Sequence, residues 1–184
     1  MKNDWGKAEE ILNKGGVVIA PTDTLYGILT RAMDRKAVER VYKIKKRNNK
    51  KPFIILIKNE KDLEKFEIKH SHILQNVRMF KNKKVSFILP CESKKFEYLH
   101  RGGKSLAFRI ISPRNKNLFK LIKNAGPLVA PSANPEGKKP AKNILEAKKY
   151  FSTEVDMYIS VGTRNAKPST IISLLGTKPK ILRK

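Results

Sequence analysis

"DWGKAEEILNKGGVVIA" (residues 4–20) changes its apolar period halfway along. Trp5, Ala8, Ile11 and Leu12 share one helical face, with Asp4 placed to cap the start and Gly15 to end it. "VVIA" then runs apolar without a break, as a short buried strand does. A helix feeding a buried strand is the unit of an α/β sheet.

The same alternation continues outward. "DRKAVERVYKIKKR" (34–47) puts Val38, Val41 and Ile44 on one stripe behind Asp34, a candidate N-cap, and "FIILI" follows as a strand. "SHILQNVRMF" reads as a helix capped by Ser71, "KVSFIL" and "SLAFRII" as strands, and "NKNLFKLIKNAG" as a helix closed by Gly126. "PLVAP" is a strand and "AKNILEAKKYF" a helix, while "DMYIS", "STIISL" and "PKILR" read as three final strands. Strands separated by helices argue for parallel pairing, and the strand-rich end for some antiparallel pairing. The expected fold is α/β: a twisted mixed parallel/antiparallel sheet flanked by helices, in a single domain over residues 1–184. No repeat, low-complexity linker or composition shift divides the chain.

The 184 residues suit one domain that buries about two-thirds of its unfolded surface. Hydrophobic residues make up 40%, too many for a disordered chain. Lys and Arg total 41 against 16 Asp and Glu, a net charge of +25 that attracts anions: RNA, nucleotides or anionic lipid. Cys91 is the sole cysteine, so an intramolecular disulfide is impossible, and it reads as inert packing in a cytoplasmic protein. "MKNDWGKAEE" lacks the apolar run of a signal peptide. The longest apolar runs are far shorter than the roughly 20 residues that span a bilayer, so no membrane role is expected.

Several motifs fail. "RGGKSL" resembles a P-loop, but the glycine required ahead of Gly-Lys-Ser is replaced by Tyr98, and a strand rather than a helix follows. His70, His72 and His100 have no Cys or acidic company, so no metal site is expected. Acidic residues are too sparse for a paired-carboxylate mechanism.

Three segments hold. "APTDTLYG" (20–27) follows a strand and is rich in turn residues. It reads as an ordinary strand-to-helix turn or, being at the carboxyl end of a sheet strand, as a ligand loop. "KIKKRNNKKP" (43–52) carries six cations and no acid. The helix dipole favours some of that charge, but so dense a cluster repels itself until an anion arrives. "APSANPEGKKP" (130–140) sets Ser132 and Asn134 at a strand end, as donors and acceptors for phosphate or carboxylate oxygens.

"GGVVIAPTDTLYG", "KKRNNKKP", "SLAFRI", "SAN", "KPSTIISL" and a terminal "ILR" occur in this order from about residue 15 to 183, and together they resemble the YrdC/YciO family. The chain is similar to the threonylcarbamoyl-AMP synthase branch. The family's Lys-x-Arg and Ser-x-Asn tetrad falls on Lys45, Arg47, Ser132 and Asn134, which the YciO branch lacks. The resemblance implies a YrdC-like sheet with a concave basic pocket. It implies that L-threonine, bicarbonate and ATP give threonylcarbamoyl-AMP and pyrophosphate, with Mg2+ carried by ATP. The product would supply N6-threonylcarbamoyladenosine in tRNA, through a downstream threonylcarbamoyl-transferase complex. By family position the tetrad is catalytic, and Lys51, Ser105 and Arg183 join Arg47, Ser132 and Asn134 at the nucleotide. Thr24, Arg109 and Ser169 would hold threonine, Arg109 by a charge-assisted bond to its carboxylate.

The chain departs from the family at three places. "NKKVSF" lacks a Pro-Gly and has Ser86 for a threonine, "FIILI" lacks a histidine found in some members, and "PEG" replaces the Ser-Gly after Ser-Ala-Asn. The further C-terminal domain of longer members is not expected. On residues alone, Arg109 reads as an exposed strand residue on an alternating face, and Thr24 and Ser169 equally as local turn formers. The rival readings are a non-catalytic protein binding double-stranded RNA or tRNA, which the net charge favours, and a YciO-like paralogue with another substrate. The absence of an aromatic stacking module or RNA-binding signature weighs against the RNA reading.

Overall fold

The computed structural model describes residues 2–68 and 84–184. Helix α1 (Lys2–Asn13) leads into strand β1 (Val18–Pro21), which turns back as β2 (Tyr26–Arg31). Helix α2 (Arg35–Lys45) and strand β3 (Ile54–Ile57) follow, then a 3-10 segment (Glu60–Phe66) and β4 (Val85–Pro90). A second 3-10 turn (Lys94–Phe96) runs into the short helix α3 (Glu97–His100), and β5 (Ser105–Ile110), α4 (Lys116–Ala125) and β6 (Leu128–Val129) come next. Helix α5 (Ile144–Phe151) and strands β7 (Met157–Tyr158), β8 (Thr170–Ser173) and β9 (Lys180–Arg183) complete the chain.

Among the described residues the strands form one nine-stranded sheet, in the order β7-β1-β2-β6-β3-β5-β4-β8-β9. Pairing is mixed: β1–β7, β3–β5 and β4–β8 are parallel, and β1–β2, β2–β6, β3–β6, β4–β5 and β8–β9 antiparallel. Successive strand residues feed opposite faces. Val17, Ile19, Tyr26, Ile28, Ile55 and Ile57 pack with Val38 and Val41 of α2 and Phe151 of α5. Val18, Ala20, Leu29 and Leu56 pack with Ala8 and Leu12 of α1 and Leu118, Leu121 and Ile122 of α4.

Two readings need correction. "APTDTLYG" is not a strand-to-helix loop: it is the turn of a hairpin whose second strand, β2, the periodicity did not disclose. β2 is buried along nearly its whole length, so it shows no alternation of apolar and polar residues. Helix α1 begins at Lys2, which puts Asp4 in its first turn rather than at its cap. Asp34 does cap α2, accepting from the Ala37 N–H at 3.0 Å. The helix expected at "SHILQNVRMF", with Ser71, His70 and His72, lies outside the described residues. Cys91 is buried and its thiol pKa is pushed up by burial, in keeping with a packing role.

A cavity where the hairpin turn meets the Ser-x-Asn loop

Helix α2 ends at Lys46, whose φ of 50° is left-handed and whose N–H returns to Lys43 O and Tyr42 O. This turn delivers Arg47 to the entrance of β3. There Arg47 Nε donates to Lys51 O at 3.2 Å, and its guanidinium lies 5.5 Å from the Phe53 ring centroid. Phe53 in turn stacks on Tyr42, and the Tyr42 hydroxyl also donates to Lys51 O. Arg47 is therefore oriented from two sides.

Across from it, residues 131–133 run beside β2. Ile28 N donates to Pro131 O and Ala133 N to Tyr26 O, both at 2.9 Å. This approach requires glycine at 27, where a Cβ would meet Thr22 Cγ2 at 2.9 Å and Pro131 O at 3.4 Å. Ser132 is thereby fixed next to the hairpin turn.

The turn has its own support. Thr22 Oγ1 donates to Leu25 O at 2.7 Å, and Arg164 donates to Thr22 O at 2.9 Å and Thr24 O at 3.3 Å. Arg109 approaches it from β5, with Nη1 3.2 Å from Thr24 Oγ1 and 3.5 Å from Asp23 Oδ1. Arg109 is only 3% exposed, not the surface residue that strand alternation alone suggested. Burial works against its charge and Asp23 supports it. Arg109 Nε has no hydrogen-bond partner among the described residues. Arg183, from β9, donates to Ser169 O at 2.8 Å, and the Ser169 hydroxyl lies 2.9 Å from that of Ser86.

These elements enclose a cavity of about 440 Å3. Thr24, Arg47, Ser105, Arg109, Ser132, Ser169 and Arg183 all line it. The wall also includes Phe53, Ile88, Leu106 and Ile171, so three arginines and several hydroxyls face an otherwise largely apolar space. Guanidinium and hydroxyl donors set among apolar side chains are suited to anionic groups.

Lys45, Lys51 and Asn134 lie outside that wall. Lys45 is 1% exposed; its ammonium donates to Ser132 O at 2.5 Å and to Asn134 O. Burial, with Arg47 nearby, lowers its pKa to about 7, and Glu136 acts in the opposite sense. The side chain of Asn134 is spent within its own loop, accepting from Ser132 Oγ at 2.6 Å and donating to Lys138 O at 2.7 Å. Lys51 pairs with Glu136 at 2.6 Å.

The Sua5/yciO/yrdC family model, described as telomere recombination, matches residues 10–184. The chain belongs to this family. It is 31% identical over 173 residues to the threonylcarbamoyl-AMP synthase of Cellvibrio japonicus, covering 91% of this chain and 89% of that protein. It is 32% identical over 167 residues to a putative threonylcarbamoyl-AMP synthase of Methanocaldococcus jannaschii, covering 90% and 77%. Among solved structures, P. abyssi Sua5 complexed with L-threonine superposes with a TM-score of 0.87 at 27% identity, over 97% of this chain and 53% of that one. This chain therefore spans about half the length of the P. abyssi protein. E. coli YciO, at 23% identity and a TM-score of 0.83, shares the fold.

In this Sua5/YciO/YrdC chain, three residues at or beside the site had no signature of their own. Arg164 braces the hairpin turn from a segment of irregular backbone. Tyr26, fully buried, accepts from Val161 N and donates to Gly162 O, anchoring the segment that leads to Pro168 and Ser169. Glu136 is an acid within a basic loop. "PEG" marked the departure, but what the acid faces is settled by a segment 85 residues away.

Proposed function

We propose that this chain is an L-threonylcarbamoyladenylate synthase, converting L-threonine, bicarbonate and ATP to threonylcarbamoyl-AMP and pyrophosphate. One arrangement carries the reading: Arg109 with Thr24 at one part of a single cavity, and Arg47, Ser132 and Arg183 in the same wall. Arg109 suits the carboxylate of threonine. Arg47 and Arg183 suit phosphate oxygens, each offering a planar fork of donors. Ser105 and Ser169 add hydroxyls, Ser132 stands in the same wall with its own proton given to Asn134 Oδ1, and Lys51 lies within reach of the same rim. Lys45 and Asn134 hold the shape of the Ser132 loop.

The threonine amine attacks bicarbonate carbon, and loss of water leaves a carbamate. A carbamate oxygen then attacks the α-phosphorus of ATP, and pyrophosphate departs with the electron pair of the broken P–O bond. Anionic groups crowd together throughout, so the protein's task is to position them and supply fixed positive potential. The cavity wall offers arginines and hydroxyls rather than carboxylates. Mg2+ accordingly enters as Mg-ATP, held by phosphate oxygens and water.

As an ATP-dependent nucleotidyltransferase the chain would act in the cytoplasm, handing its product to a threonylcarbamoyl-transferase complex for tRNA modification. Among the described residues no helix is long and apolar enough to cross a membrane. The deciding experiment is pyrophosphate release from Mg-ATP. Release should require threonine and bicarbonate together, and equal release without threonine overturns the reading.

A further inference from the structure

The stretch from Lys43 to Pro52 has no acid of its own, yet it holds an anion. Lys51 Nζ and the Asn48 N–H converge on the carboxylate of Glu136, each at 2.6 Å and each on a different oxygen. Glu136 N also donates to Lys45 O at 2.9 Å. An ammonium and a backbone N–H closing on two oxygens of one group are the donors that would hold two oxygens of a phosphate. Hydrogen bonds from Lys51 and Asn48 hold the Glu136 carboxyl below the usual carboxylate range.

The location matters. Glu136 joins the loop after α2 to the loop after β6, and both build the cavity: Arg47, Pro52 and Phe53 from one, Pro131, Ser132 and Pro140 from the other. The seat of Glu136 is thus at the edge of the proposed nucleotide site. The Glu136 side chain is 27% exposed and that of Lys51 57%, so the pair is accessible to a solute.

We infer that Glu136 is an affinity-setting residue that competes from within for the phosphate-binding groups of the cavity rim, Lys51 and the Asn48 N–H. The inference rests on the proposed nucleotide reading. With Glu136 seated, Lys51 and the Asn48 N–H are both engaged. An exposed ion pair of this kind is weak, so a polyphosphate displaces it and takes the same two donors. The cost of displacement is a property of the protein, so it is subtracted equally from the affinity of every ligand that takes this seat. The opposing possibility is that Glu136 only staples the two loops together, in which case its removal loosens the rim and weakens binding. The two predict opposite signs.

The test is calorimetric titration with Mg-ATP and with inorganic triphosphate, without threonine, at low and high salt. The proteins are wild type, Glu136→Gln, Lys51→Gln, the double variant, and Glu10→Gln as a distant exposed acid. Glu136→Gln should tighten both ligands about two- to five-fold at low salt, the scale of one exposed ion pair, and the gain should shrink without vanishing at high salt, because the contact pair is screened less than distant charges. In the Lys51→Gln background the gain should largely disappear. Glu10→Gln should give a smaller effect that salt abolishes, as expected of long-range charge alone. Unchanged or weaker binding by Glu136→Gln overturns the inference, as does an equal gain without Lys51. If wild type binds Mg-ATP but Glu136→Gln does not tighten it, only this inference falls. If neither protein binds Mg-ATP, the nucleotide reading falls with it.

Discussion

The ammonium of Lys45 donates to the backbone carbonyl of Ser132 at 2.5 Å, from a position beneath the loop rather than inside the cavity. Together with its bond to Asn134 O, this makes Lys45 the prop that sets where the Ser132 hydroxyl stands. Lys45→Met takes the ammonium donor from Asn134 O and one of two donors from Ser132 O, which keeps the Asn134 N–H at 2.9 Å, and an orphaned acceptor costs about 1–3 kcal/mol. Thermal unfolding should fall by about 2–4 °C per kcal/mol for a chain of this size, and pyrophosphate release should drop at least about tenfold as the loop loses its geometry. Unchanged stability would show that the prop is dispensable.

The same lysine gives a pH signature. Its folded-state pKa is about 7 against an ordinary 10.5. Between those values the unfolded chain binds more protons, so stability rises with pH across that window and the penalty is fully present below pH 7. A neutral amine retains two N–H donors, enough for both carbonyls. Compared with Lys45→Met, wild type should gain stability as pH rises from about 7 to 10. A difference in melting temperature that stays constant over that range would refute the assignment.

Arg47 contrasts with Lys45. It is partly exposed, bonded to one carbonyl and resting near Phe53, so Arg47→Ala should change the melting temperature little. Loss of a charge-assisted partner to phosphate costs about 1.5–3 kcal/mol, or about 10- to 150-fold in rate. Full turnover by the variant would remove Arg47 from the phosphate site.

Arg109→Ala should raise the KM for threonine selectively, but it should also destabilise the fold. Its removal leaves the half-buried Asp23 without its cation, and breaking such a pair costs about 3 kcal/mol. The double variant Arg109→Ala/Asp23→Ala should recover part of that stability while threonine binding stays weak. A KM rise confined to ATP would assign Arg109 to the other substrate.

Lys43, Lys46 and Lys50 are exposed at the end of α2 and beyond it. Neutralising all three should leave turnover at saturating ATP nearly intact. Any affinity for double-stranded RNA should fall, its salt slope shrinking by up to about 0.9 per lost phosphate contact. Loss of turnover as severe as in Lys45→Met would show that the whole stretch is one anion site.

The alternation of helical and strand periods was enough to identify the α/β class, and Asp34, Gly126 and the stripe of Val38, Val41 and Ile44 located elements because caps and amphipathic faces are local properties. Strand β2 escaped because Gly27 and Thr30 break its apolar run, so it shows neither the alternation of a half-buried strand nor the unbroken apolar stretch that disclosed β1 and β3. The ordered motifs also named Thr24, Arg47, Ser105, Arg109, Ser132, Ser169 and Arg183, which line the cavity, and Lys45, Lys51 and Asn134, which do not, without distinguishing the two sets. Lys45 and Arg47 look equivalent in a basic run. One is turned under the Ser132 loop and the other into the cavity, because the helix ends in a left-handed turn between them. Arg109 reads as a surface residue until the β1–β2 turn is folded over it. Glu136 has meaning only against Lys51 and Asn48, brought to it by a different part of the chain. Sequence pattern records which residues repeat along one element. Contacts between segments far apart in the chain depend on strand order and register, and these are fixed only when the sheet assembles.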